Sequence, residues 1–449
     1  MKDYDVIIAG GGISGSMAGI AAARMGVKVL IIESLGFMGG ALTAAGVGPM
    51  MTFHAGEKQV IKGITDELIE RLKKRGKSPG HIQDSSNYTY TITPFDAEAM
   101  KYEIETMLVE SGGEILYHTM LAGVNLGDRN IKSIKICNKL GLSEISAKVF
   151  IDATGDADLA TWSGMKFTKG REKDGASQPL TLMMKIRDVN LEKVKDYIKK
   201  NPDNFTRIHK DISVIDKVSR LAIIGFVKEF DEAKKKGEIS IKREDVLFFE
   251  TNNLGEIIVN TTRILGCDSI DPLSLSKAEI EGRKQCKELE LFFKKYIPGF
   301  ENSVVFSTGP IIGVRSSRQI IGLYTLTVKD LLEQRKFKDV IAHSGYPIDI
   351  HSPDGEGTTH KSLNWGEYYG IPYSTLVASE IDNLIVVGRS ISATFEAQGA
   401  IRTTPTVGAV GQAGGVAAAL AVKDNKNVKN IDIDKLQKEL LKQGAYLDI

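Results

Sequence analysis

Six side chains in the second half of the chain could carry out chemistry on a small molecule. Arg315 and Arg402, with Arg318 close to the first, offer guanidinium groups that can grip a carboxylate in bidentate fashion. His351 and His360 are candidates to take or give a proton, because imidazole titrates near neutrality, and Tyr369 stands in reserve. His343 shares this interval, yet the three histidines lack the close spacing of common metal sites, so no metal is expected. A second set near the N-terminus is suited to holding a ligand: Gly10-Gly11-Gly12-Ile13-Ser14-Gly15, followed by Glu33. Gly10 permits a tight turn, Gly12 lets backbone approach a pyrophosphate, and Gly15 lets a helix pack closely on a strand. The helix that follows offers free N–H groups and the positive end of its dipole to phosphates. Glu33, about 20 residues beyond the turn, can accept from ribose hydroxyls and would repel a 2′-phosphate.

The elements that must position these residues can be read from periodicity. Asp5 to Ala9 is an apolar β-branched run, a small-residue helix reaches Ala23, and Val29 to Ile32 is a second apolar run, which together make one βαβ unit. Beyond it, Ser34 to Thr43 is a second glycine-rich turn at the carboxyl end of a strand, where open α/β sheets bind ligands. Val60 to Arg75 and Phe95 to Glu110 have helical spacing, with Asp96 as a cap, and the polar excursion between them carries Tyr88 and Tyr90 as a strand pair or a pocket wall. Short strands at 115–117, 120–124, 131–137 and 145–151 predict an antiparallel meander that runs into Asp152-Ala153-Thr154-Gly155-Asp156.

From Met165 to Phe306 no second dinucleotide turn occurs. A strand over 178–187, a charged helical stretch over 191–239, two strands within 246–262 and a long helix over 276–296 predict a mixed domain. A strand at 384–387, a loop over 392–405 and a glycine–alanine helix over 407–422 close the chain. The expected organisation is an α/β fold in which 1–164 and 375–449 form the dinucleotide-binding part and 165–374 a substrate or cap domain of mixed α and β.

With 58 Lys+Arg against 57 Asp+Glu the chain is nearly neutral and has no long basic block, so nucleic acid is not an expected partner. Its three cysteines, Cys137, Cys267 and Cys286, form no Cys-x-x-Cys pair. That argues against a disulfide framework, an iron–sulfur cluster or a redox-active pair, and predicts a reducing, cytoplasmic setting. The apolar N-terminus has an acidic leader and places its glycines at fingerprint positions, so an exported chain is not expected. No uninterrupted apolar span is read as long enough to cross a bilayer, so no membrane is expected.

Taken together, the motifs resemble those of the FAD-dependent oxidoreductases, the broad group with a glutathione-reductase-like FAD-binding fold that is shared with fumarate reductase flavoproteins. The resemblance covers essentially the whole chain. It rests on Gly10 to Gly15, Gly36 to Thr43, Asp152 to Asp156, Gly313-Val314-Arg315-Ser316-Ser317-Arg318, Asn383 to Arg389 and Gly411-Gln412-Ala413-Gly414-Gly415. It implies a Rossmann-like domain with a parallel sheet and an antiparallel meander, with FAD as cofactor. By resemblance Gly10, Gly12, Ile13, Ser14, Gly15, Glu33, Ser34, Gly39, Gly40, Ala41 and Thr43 hold the ADP half. Leu121 passes the adenine, while Ala153, Thr154, Gly155, Asp156, Gly388, Arg389 and Ala400 approach the linker and the ring. Two departures stand out. Gly388 is followed by Arg389 where relatives often have an acid, and Arg315-Ser316-Ser317-Arg318-Gln319 replaces a common Arg-Glu-Ser-Arg-Arg. The resemblance implies hydride transfer between flavin N5 and a small polar substrate, an organic acid being one such. An electron-transfer subunit serving a redox-partner protein is the alternative, and a homo-oligomer is left open.

Overall fold

Within the strands Tyr4–Ala9, Val29–Ile32 and Ala147–Asp152 the last four residues of each are buried and leave no solvated face, which is the pattern of a parallel sheet covered on both sides. In the computed structural model, which describes residues 3–209, 211–355, 357–361 and 363–449, they form the centre of a five-stranded sheet. Its order is Leu384–Val386, Ala147–Asp152, Tyr4–Ala9, Val29–Ile32, Glu114–Leu116, and every neighbouring pair is parallel. The carboxyl ends of Ala9, Ile32 and Asp152 therefore share one edge. Glycine turns follow each of them.

The helix Ile13–Arg24 packs on one face of this sheet, against the helix Thr404–Asp424. Close approach explains the glycines: a Cβ at Gly411 would lie 2.2 Å from the Ser14 carbonyl oxygen, and one at Gly415 2.1 Å from that of Ala18. The sequence reading anticipates no apolar span long enough to cross a bilayer. Thr404–Asp424 does meet that length and composition, but 89% of the window is buried within the fold, so its apolarity is used in packing.

A three-stranded antiparallel sheet, Gly141–Ile145, Asn130–Asn138 and Met120–Gly127, hangs beside the parallel sheet. The expected meander is thus displaced: Glu114–Leu116 and Ala147–Asp152 leave it for the parallel sheet, and Gly141–Ile145 supplies its third strand. Ile115 faces Ile31, and Ile151 pairs with both Ile8 and Ile385, so these apolar strands gain more from the central sheet than from a solvated ribbon.

A second, antiparallel sheet has five strands in the order Ala222–Gly225, Val246–Glu250, Ile257–Val259, Met184–Arg187, Val304–Thr308. The helix Pro272–Tyr296, capped by Asp271, covers one of its faces and closes a separate core with Phe248, Phe293 and Phe300. The stretch read as helical over 191–239 is interrupted by the strand Ala222–Gly225, since a wholly buried apolar run sits between two charged helices, Leu191–Lys200 and Val227–Lys235. Residues 326–377 contribute Leu326, Ile341, Tyr369 and Ile371 to the core of the parallel sheet.

Candidate active site

Between the two sheets lies a cavity of about 1010 Å³. One half is a groove of small residues: Gly10, Gly12, Ile13, Ser14, Gly40 and Ala41 line it, and Ala153, Thr154, Gly155 and Gly388 continue it. Gly10 has φ +103°, and a Cβ there would lie 2.5 Å from the Ala153 carbonyl oxygen, so the turn demands glycine on both conformational and steric grounds. The helix Ile13–Arg24 has no side-chain cap and no acid in its first turn, which leaves its N-terminal N–H groups to whatever fills the groove. Gly12 has no atom nearer than 3.9 Å to an added Cβ, so backbone is open to a ligand there. These features fit a dinucleotide pyrophosphate.

The carboxylate of Glu33 is already engaged: Oε2 accepts from the Gly11 N–H at 2.8 Å, and Oε1 from the Leu35 N–H at 2.8 Å and the Ser34 hydroxyl at 3.0 Å. It thus ties the phosphate turn to the second strand and keeps about one acceptor position for a sugar hydroxyl. Leu121 and Ser34 line the same end. Other anticipated residues support the groove from behind. Gly15 packs on the Gly10 carbonyl, the Thr43 hydroxyl donates to the Met38 carbonyl at 2.7 Å, and Gly39 closes on Thr43. Ala400 is buried in the helix Phe395–Ile401, which occupies part of the stretch anticipated as a loop and is capped by the Thr394 hydroxyl. Where an acid is common, Arg389 instead donates to Asp156 Oδ1 at 2.7 Å, and both line the cavity.

The other half of the cavity gathers Arg315, Arg402 and His351. The strand Ile348–His351 puts Asp349 and His351 on one face, two residues apart. Asp349 Oδ2 faces His351 Nε2 at 3.4 Å and accepts from Arg402 at 3.3 Å. Burial opposes ionisation of Asp349, but His351, Arg402 and the Tyr88 hydroxyl outweigh it and hold the carboxyl well below the usual range. Burial also depresses His351, and Arg315 and Arg402 depress it further against the pull of Asp349, so the ring is neutral at pH 7. Its Nδ1 lies 3.2 Å from the Thr358 hydroxyl.

Arg315 is pushed well below the usual arginine range, first by burial and then by Arg402 and Arg243 nearby. Its guanidinium donates to the Pro179 carbonyl at 2.5 Å and faces the Asn260 side-chain oxygen at 3.5 Å. A buried amide pair sets the two loops: Gln398 donates to the Arg315 carbonyl at 2.9 Å, and Gln178 Oε1 accepts from the His351 N–H at 3.3 Å. Arg402 Nε is buried and has no hydrogen-bond partner among the described residues.

Two anticipated proton carriers lie elsewhere. Tyr369 is 1% exposed, donates to the Tyr346 and Ala400 carbonyls at 3.1 and 3.2 Å, and does not line the cavity. His360 packs its ring on Tyr88 at 4.7 Å, outside the cavity wall, and burial and Arg207 lower it to about 4. Arg318 is turned to the Asp156 carbonyl and the Asp158 carboxylate. Sequence reasoning passed over Asp349, whose spacing from His351 was a usable signal, and Arg243 and Asn260, which no motif marks. Among the described residues no group of three His, Cys, Asp or Glu side chains could hold a metal.

Comparison with known proteins gives the family. The chain is 25% identical over 213 residues to the digeranylgeranylglycerophospholipid reductase of Thermoplasma volcanium, covering 44% of this chain and 50% of that one. It is 30% identical over 168 residues to the thiamine thiazole synthase of Methanococcus aeolicus, covering 35% and 57%. The chain thus spans about half the length of the relatives it matches. Among solved structures, the L-proline dehydrogenase of P. horikoshii is similar over 99% of this chain and 100% of that one, with a TM-score of 0.48 and 13% identity. The geranylgeranyl bacteriochlorophyll reductase-like protein of Thermoplasma acidophilum is similar over 99% and 84%, at 0.48 and 14%. The family model for FAD dependent oxidoreductases matches residues 5–440. The chain therefore belongs to the FAD dependent oxidoreductase family, and its cofactor is FAD.

Proposed function

We propose that this oxidoreductase is a dehydrogenase or reductase of a small anionic molecule, an organic acid in the first instance. The observation that carries the reading is Arg315: a half-buried guanidinium in the cavity that also holds the glycine groove, its charge opposed first by loss of water and then by Arg402 and Arg243. Such a site holds positive charge that a bound anion would relieve. Asp349 and Asp245 are the carboxylates paired with this cluster among the described residues, the first engaged by His351 and Arg402 and the second by Arg243, so neither pairs with Arg315.

FAD supplies hydride exchange at its ring when bound. Gly10, Gly12 and the free N–H groups of the helix Ile13–Arg24 would hold its pyrophosphate, and Glu33 its ribose. Arg315 and Arg402 would clamp the substrate carboxylate and fix its orientation. His351 is neutral, so it acts as a proton acceptor at Nδ1 once substrate displaces Thr358, while Asp349 orients the ring through Nε2. The anion itself raises the basicity of His351, because it offsets the two arginines that depress it.

Anaerobic bleaching of the flavin against a panel of organic acids, alcohols, amines and sugars tests the reading, with an acid expected to reduce it. Arg402→Gln should lower kcat/KM about 10- to 100-fold, the loss of a charge-assisted contact, while FAD stays bound. Reduction only by another protein would support an electron-transfer subunit and overturn this proposal.

A further inference from the structure

We propose that the substrate is an amphipathic acid, with its anionic head at Arg315 and Arg402 and an apolar body of several carbons lying along the antiparallel sheet. The inference rests on the arginine reading above and adds the shape of the rest of the molecule. Strand alternation supplies the surface. Ile223 and Phe248 point into the core beneath the helix Pro272–Tyr296, so Ile224, Leu247 and Phe249 point the other way and line the cavity. Leu275, Ile311 and Ile312 extend this apolar wall.

Asn260 joins the wall to the cationic end. Its N–H donates to the Leu247 carbonyl at 2.8 Å, its carbonyl accepts from Arg243 at 3.2 Å, and its side-chain oxygen faces Arg315 at 3.5 Å. The apolar surface thus begins one residue away from the guanidinium that would hold the head. Ile224, Phe249 and Ile312 form the packed base of this wall, while Leu247, Leu275 and Ile311 carry its open apolar area, which a short diacid would leave against water. A chain or ring carried behind a single acid group would cover it, gaining burial with each carbon.

Straight-chain monocarboxylates from acetate to decanoate, titrated calorimetrically into the FAD-loaded protein, test this. The dissociation constant should fall about fourfold per added methylene until the wall is covered, then level off. Leu247→Ser and Ile224→Thr should flatten that climb while leaving acetate affinity within about twofold, which a general loss of structure would not do. A flat wild-type series that Arg402→Gln still weakens overturns the apolar body alone, whatever the variants do. A climbing series indifferent to Arg402→Gln overturns the arginine reading, and this inference with it.

Discussion

At the scale of single residues, the site is governed by burial acting against unlike neighbours. Asp349 stays ionised and His351 stays neutral within one hydrogen-bonded group, because the arginines favour the first state and oppose protonation of the second. Binding an anion beside Arg315 should therefore draw a proton onto His351. At about pH 5.5, calorimetric heats of acid binding measured in buffers of different ionisation heat should reveal net proton uptake. His351→Asn should abolish it, and uptake that survives this change would remove His351 from the site. A second consequence concerns stability. His343, held down to about 4 chiefly by burial, accepts the Asp448 N–H at Nε2, so protonation would break that bond. Unfolded imidazoles titrate near pH 6.5, so between there and about pH 4 the unfolded chain binds more protons than the native one. Stability is present above that interval and lost as the pH falls through it. The melting temperature should drop over this range, and His343→Phe should remove part of the slope; a flat profile would contradict the neutral assignment.

At the scale of elements, the glycine–alanine helix Thr404–Asp424 sets the position of the phosphate turn. Gly411→Ala would push a methyl group into the Ser14 carbonyl, which is backbone and cannot swing aside. The expected cost is about 1–3 kcal/mol of stability, typical of overpacking, together with weaker FAD binding, because Ser14 lies in the first turn at the groove. Gly415→Ala should cost similar stability but less affinity, since Ala18 lies one turn further from the groove; equal loss of FAD in both variants would show that the effect is not local. The turn, its helix and the Asp96 cap were legible in sequence because each depends on neighbours within a few positions. The helix Phe395–Ile401 was not: Gly399 inside it reads as a breaker, yet it is glycine because the Asp349 carbonyl would lie 2.7 Å from its Cβ. Strand pairing was equally hidden, since alternation marks a strand without naming its partner. The same limit concealed Asn260 and Arg243, which reach Arg315 only through the antiparallel sheet.

At the scale of the whole molecule, the two largest hydrophobic cores share one cavity, and they contribute unequally to it. The groove that fits FAD is built by the parallel sheet and its turns, while the antiparallel sheet, with its own core around Phe248 and Phe293, lines the half assigned to substrate. Cofactor binding should therefore stabilise the first unit directly and the second only through their contact. At free FAD a hundredfold above its dissociation constant, the direct term is about 2.7 kcal/mol. The chain provides a built-in reporter: its two tryptophans, Trp162 and Trp365, both lie outside the segment 180–314 that forms the second core. Melting of the FAD-free protein followed by tryptophan fluorescence should shift upward by several degrees on adding FAD or ADP. Melting followed by far-ultraviolet circular dichroism should split into a component that moves with it and one that lags. If both signals instead move together by the same amount, the two cores unfold as one cooperative unit, and the division of the chain into a cofactor part and a substrate part is architectural without being energetic.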